Sequence, residues 1–123
     1  MSAKDHREGH THRAPVTLEV AERVAETMQA LSTPSRVLIL AELRERSRTV
    51  SELVAAVGME QSAVSHQLKL LRDSGLVVGE RHGRRVIYSL CDHHVAWLVD
   101  QAIGHVEHMQ LGAAAHPVRR AAS

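Results

Sequence analysis

Phenylalanine does not occur in this sequence, and tryptophan and tyrosine occur once each. The core therefore has to be built from Leu, Val, Ile and Ala, a palette that suits helices. A single cysteine, Cys91, excludes any disulfide within the chain and fits a reducing compartment. No apolar run approaches the length that spans a bilayer, and the first residues hold no apolar stretch of the signal-peptide kind. A cytoplasmic protein with no membrane partner is the expectation. The formal net charge of +1 is too small to argue for nucleic acid by itself, so the distribution of charge has to decide.

What the chain has in excess is histidine, with 10 in 123 residues. A chain of this length forms one domain by the usual size prior, with a modest core that association with a second copy would help to cover. Residues 1–15 lack apolar periodicity and read as a flexible tail carrying His6, His10 and His12, and residues 111–123, with His116, read the same way. The folded unit is expected between them, over residues 16–110.

Helical patterning starts after Pro15, with Thr17 as cap and Val20, Val24, Met28 and Leu31 on one face. A second helix starts at Thr33, with Pro34 in the first-turn position that proline tolerates best. A third, short helix is expected to open on Ser51 and stop at Gly58, and a fourth to bury Val64, Leu68 and Leu71 before Gly75. Then the period changes. The stretch LVVGERHGRRVIYSL has β-branched runs on both sides of a His-Gly pair, a hairpin signal, and a last helix opens at Asp92. The expected fold is mainly α with a β-hairpin wing: a winged helix-turn-helix.

Two short helices joined by GMEQ form a helix-turn-helix pattern. Near the start of its second helix, Gln61, Ser62, Ser65 and His66 lie outside the apolar stripe, where short hydroxyl and amide side chains can reach phosphates and base edges. Ser62 is also a candidate helix cap. Lys69 and Arg72 follow, and Arg81, Arg84 and Arg85 bracket the hairpin tip. Over residues 61–90 these five Lys/Arg stand against Asp73 and Glu80, a balance of +3, so positive charge gathers where a duplex would lie. Double-stranded operator DNA is the expected partner.

On the last helix, at 100° per residue, Val95, Val99, Ala102, Val106 and Met109 form one stripe with the spacing of a helix-pairing seam. His94, His105 and His108 lie along one edge of it, and Asp92 stands at the helix start. Along a straight helix the 11 residues from His94 to His105 span roughly 16 Å. Donors to one ion must lie within roughly 4 Å of one another, because each bond is only about 2.1 Å long. One chain cannot close such a site. An antiparallel pair of these helices about a two-fold axis can, because Asp92 and His94 of one copy then meet His105 and His108 of the other, giving two sites per homodimer.

The segments ALSTPSRVLIL, VSELVAAVGMEQSAVSHQLKLLRDSGLV and GRRVIYSL, with the spacing D-x-H-x10-H-x2-H over Asp92, His94, His105 and His108, resemble the ArsR/SmtB family of winged-helix metal sensors. The resemblance covers about Thr17 to Pro117. It implies an apo homodimer that binds an inverted-repeat operator and represses, with metal releasing it to allow expression of efflux genes. It also implies a relay in which His105 coordinates through one ring nitrogen while the other N–H reaches a backbone carbonyl near Gly75. The cysteine pair that other members carry on an earlier helix is absent from SELVAAVG, which disfavours soft metals such as arsenic, cadmium and lead.

Within the family the chain is similar to the nickel/cobalt-sensing type, sharing GMEQSAVSHQL, an EH near the end of the last helix, a C-terminal HP and a histidine-bearing N-terminal tail. That similarity implies Ni(II) or Co(II) as effector, with His116, His6, His10 or His12 as extra donors to an octahedral site. Such sensors can carry a histidine two residues beyond the last helical ligand, where this chain has Gln110. One Asp and three His also make a complete tetrahedral set for Zn(II), the alternative metal. A winged-helix repressor with a non-metal effector is a further alternative. A zinc hydrolase is disfavoured, because H-V-E-H lacks the i, i+4 histidine pair that puts two imidazoles on one helix face.

Overall fold

The computed structural model describes residues 14–111. Helix α1 spans Leu18–Ala30 and is capped by Thr17, whose Oγ1 accepts from the Val20 N–H at 3.2 Å. Helix α2, Pro34–Glu45, is capped by Thr33 and carries proline in its first turn. Both helices open where the cap residues indicate, because a short side-chain oxygen beside extended backbone satisfies donors that the helix cannot.

Helix α3, Val50–Val57, opens earlier than its serine suggests. A two-residue strand β1, Arg48–Thr49, precedes it and holds Thr49 extended, so Thr49 rather than Ser51 becomes the cap. Thr49 Oγ1 accepts from the Glu52 N–H at 3.2 Å and Glu52 Oε1 accepts from the Thr49 N–H at 2.9 Å, a reciprocal capping box. Thr49→Ala is expected to lower stability by about 1 kcal/mol, read as a fall of a few degrees in the melting temperature; an unchanged midpoint would show that the box contributes nothing. The Thr49 N–H bond, with help from Arg46, Arg48 and Arg85, holds the Glu52 carboxyl below the usual carboxylate range. Because the folded value is the lower one, this contribution is present at neutral pH and is lost as pH falls through it.

Gly58 ends α3 with φ of 72°, a left-handed conformation that turns the chain within three residues into helix α4, Gln61–Asp73. Strands β2, Val77–His82, and β3, Arg85–Leu90, pair antiparallel through the two-residue turn Gly83–Arg84, and β1 adds to β3, giving the order β1-β3-β2. Gly79 lies opposite Tyr88, where a Cβ would stand 3.0 Å from the tyrosine Cε1, so the ring crosses the strand only because no side chain is there. Helix α5 spans His93–Leu111.

Ile39, Leu40 and Leu43 of α2, Leu53 of α3, Val64, Leu68 and Leu71 of α4, and Leu76, Val77, Val95 and Val99 form the core. It is aliphatic, as the lack of aromatics requires. Two apolar faces are left uncovered. On α1, Val20, Val24 and Met28 are 45%, 47% and 48% exposed. On α5 the stripe divides: Val95 and Val99 pack into the chain's own core, while Ala102, Val106 and Met109 are exposed. The helix leaves the body of the domain midway, so only its far half is available as a pairing seam. An apolar cavity of about 80 Å³ lies beside that exit, lined by Leu31, Val37, Leu40, Val99, Ala102 and Ile103.

Candidate metal centre and nucleic-acid interface

Helix α4 stands on α3 through Val64, Leu68 and Leu71, and this orients its other side outward. Gln61, Ser62, Ser65, His66, Lys69 and Arg72 are all exposed on it. Ser62 does not cap the helix. The cap is Glu60, with no side-chain hydrogen bond, which leaves the Ser62 hydroxyl in the first turn and the orphan N–H groups of that turn facing solvent. Such an end suits a phosphate. Lys69 Nζ lies 3.1 Å from Asp73 Oδ2, an exposed pair that constrains the ammonium only weakly. Arg81, Arg84 and Arg85 are exposed on the β2–β3 hairpin, so basic groups line both the helix and the wing.

The ligand candidates fall into two sets at opposite ends of α5. At the start, Asp92 Oδ1 accepts from the Val95 N–H at 3.1 Å, so the carboxylate serves as helix cap. The same oxygen lies 3.7 Å from His94 Nδ1, within the separation that two donors to one ion can have. The His93 and His94 rings stack with centroids 4.7 Å apart. In the last third of the helix, His105 and His108 are exposed about one turn apart. Among the described residues, no group of three or more His, Cys, Asp or Glu could hold a metal ion. The chemistry of each set suits a divalent ion of intermediate softness, and each set offers two donors, half of a tetrahedral shell and a third of an octahedral one. His116, His6, His10 and His12 lie outside the described residues.

The first set is tied closely to α4. Cys91, adjacent to Asp92, donates its N–H to the Leu76 carbonyl at 2.9 Å, and the Leu76 N–H donates to the Leu71 carbonyl of α4 at 3.0 Å. The Cys91 thiol itself is exposed.

Three contacts between elements were not visible in the sequence. Asp100 Oδ1 lies 3.0 Å from Arg44 Nη1, which holds α5 against α2 just before the helix emerges. Arg36 Nη1 donates to Gln67 Oε1 at 3.0 Å, turning Gln67 inward from the α4 surface, and Arg36 Nε donates to the Ala30 carbonyl at 2.6 Å. No periodicity announces such pairs, because their partners come from other elements.

Residues 33–78 match the family model described as bacterial regulatory protein, arsR family. The chain is 58% identical over 99 residues to the HTH-type transcriptional regulator NmtR of Mycobacterium tuberculosis, covering 80% of this chain and 82% of that protein. It is 44% identical over 95 residues to the HTH-type transcriptional repressor SmtB of the same organism, covering 77% of this chain and 70% of the repressor. The solution structure of apo-NmtR superposes with a TM-score of 0.68 at 52% identity, covering 91% of this chain and 92% of that one.

Proposed function

The chain belongs to the arsR family of bacterial regulatory proteins, and from that premise we propose that it is a metal-responsive transcriptional repressor acting in the cytoplasm. In this reading it binds an inverted-repeat operator as an apo homodimer, is released by Ni(II) or Co(II), controls metal efflux genes and catalyses no reaction. One observation carries it: Asp92 with His94, and His105 with His108, are two exposed half-sets of ligands on one helix, on a chain that also leaves apolar faces of α1 and α5 uncovered.

Pairing two chains through those faces covers Val24, Met28, Val106 and Met109. In an antiparallel arrangement, Asp92 and His94 of one copy and His105 and His108 of the other would hold the ion, which supplies a positive centre shared by both chains. The pairing constrains the angle between the protomers. Asp92 is one residue from Cys91, and the Cys91–Leu76–Leu71 backbone bonds carry that constraint to the start of the wing and to α4. Whether operator affinity falls depends on the constrained arrangement fitting DNA less well than the free one. A relay from His105 to a backbone carbonyl near Gly75, which the family resemblance implies, would be a second route.

The tetrahedral sufficiency of one Asp and three His favours Zn(II) as the second reading. Nickel and cobalt would draw further donors from His116 or the N-terminal histidines. The test is a gel-shift titration of the full chain on the DNA upstream of its own gene, with nickel, cobalt and zinc in turn. Affinity is expected to fall by about 5- to 150-fold with the inducing metal. Should no metal weaken the complex, the effector is not a metal and the reading is wrong.

A further inference from the structure

Helix α1 carries an exposed apolar face, yet of its own residues only Ala30, the last, is buried. An open cleft of about 240 Å³, lined by Glu26, Gln29, Ala30, Arg36, Leu70 and Ser74, separates its C-terminal half from α4. At this cleft one side chain reaches both helices. Arg36 donates from Nε to the Ala30 carbonyl at 2.6 Å, from Nη2 to the Gln29 carbonyl at 3.2 Å, and from Nη1 to Gln67 Oε1 at 3.0 Å.

The chemistry suits arginine and no other residue. The last carbonyls of a helix lack partners within it and carry the negative end of its dipole, so a cation is favoured there. The Gln29 carbonyl also accepts from the Ser32 N–H at 3.1 Å and the Ser32 hydroxyl at 2.7 Å, so Arg36 Nε on the Ala30 carbonyl is the stronger tie. The guanidinium is a planar fork with five donors, and this geometry lets it serve two adjacent carbonyls and still present an N–H to a third group. Lysine's single ammonium cannot span the same three acceptors. Gln67 is half-buried and sits between the exposed Ser65, His66 and Lys69 positions and the core residue Leu68, so its amide is anchored where α4 meets the body.

We infer that Arg36 is a positioning residue which, through Gln67, fixes the direction of α1 relative to the recognition helix α4 and thereby the separation of the two recognition helices in the dimer. The inference rests on the repressor reading above, in which α1 contributes to the dimer contact and α4 enters the major groove. A swing of about 10° acting over the roughly 20 Å length of a 13-residue helix displaces its end by about 3.5 Å, close to one base-pair step. Dimeric helix-turn-helix proteins read half-sites one helical turn apart, so an error of that size is enough to lose the register.

The test uses full-length protein and an inverted-repeat duplex selected by the wild-type chain from a random pool, together with versions whose half-sites are moved one base pair closer or further apart. The wild type is expected to prefer its selected spacing by tenfold or more. Gln67→Met, which keeps the volume and loses the acceptor, is expected to flatten that preference to within threefold while leaving affinity for an unrelated duplex unchanged. Gln67→Glu, which keeps an acceptor for Arg36, should retain the preference. Combining Gln67→Met with Arg36→Met should flatten it no further than the worse single variant. The inference is overturned if Gln67→Met keeps the wild-type spacing preference, or if it weakens binding to every duplex, related or not, by the same factor. A wild-type chain that selects no duplex would instead overturn the repressor reading.

Discussion

Two variants that cannot bind metal are expected to recover it when combined. The first carries Asp92→Asn and His94→Gln, the second His105→Gln and His108→Gln. Asparagine is chosen because it still caps α5 in place of the Asp92 carboxylate, which accepts from the Val95 N–H, so the helix start is preserved while the charged donor is lost. Each homodimer retains only half-sets, because every shared site in it has lost two of four ligands. Structural zinc sites contribute about 10–16 kcal/mol, so the loss of half the donors should weaken binding by at least a thousandfold or so. In a heterodimer of the two variants, one interface brings the intact Asp92 and His94 of the second variant against the intact His105 and His108 of the first. The other interface has no ligands of the set. A purified, differentially tagged heterodimer should therefore bind one ion where the wild-type dimer binds two. Equilibrium dialysis with Ni(II), Co(II) and Zn(II) counts them. Ligation within a single chain predicts no recovery on mixing, and that outcome would sink the shared site.

The second large effect concerns the uncovered faces. With Val24 and Met28 both changed to glutamate, the chain is expected to remain folded and to lose its dimer. Both side chains are about half exposed in the single protomer, at 47% and 48%, so charge there costs the fold little. Completing the burial of each contributes about 1 kcal/mol, half of what a fully buried Val or Met side chain gives. A two-fold interface contains each residue twice, so the apolar loss alone is about 4 kcal/mol, or roughly a thousandfold in the dimer constant. Four carboxylates brought together at one interface add repulsion to that loss. Sedimentation equilibrium should show monomers at micromolar concentration, with far-ultraviolet circular dichroism unchanged and operator binding abolished. If the double variant sediments as a dimer with wild-type operator affinity, the α1 face is not the contact.

The first of these results turns on α5, where the sequence pattern and the structure differ. The stripe Val95, Val99, Ala102, Val106 and Met109 is continuous in sequence, and periodicity treats it as one seam. The structure divides it, because α5 packs on α2 and β3 only over its first half, where Val95 and Val99 are buried and Arg44 holds Asp100. A helical repeat reports that a face is apolar and says nothing of what covers it. Thr49 is a second case. Ser51 and Thr49 are both acceptable caps by residue type, and the choice is made by β1 pairing with β3, with Arg48 opposite Tyr88 and Thr49 opposite Ile87. A two-residue strand leaves no periodic trace.

The residues themselves decide whatever acts over one or two turns of chain. Caps at Thr17 and Thr33, the left-handed stop at Gly58, the hairpin, the aliphatic core and the spacing of the candidate ligands Asp92, His94, His105 and His108 are of this kind, because each depends on neighbours whose distance is set by helix or strand geometry. Even the proposal that a second copy completes the metal site follows from a fixed rise per residue. Tertiary structure alone decides which distant groups a long side chain can join: Arg36 meets Gln67 across 31 positions, and Arg44 meets Asp100 across two helices. Such contacts form only after the aliphatic core has brought α1, α2, α4 and α5 together, so their geometry is a product of packing.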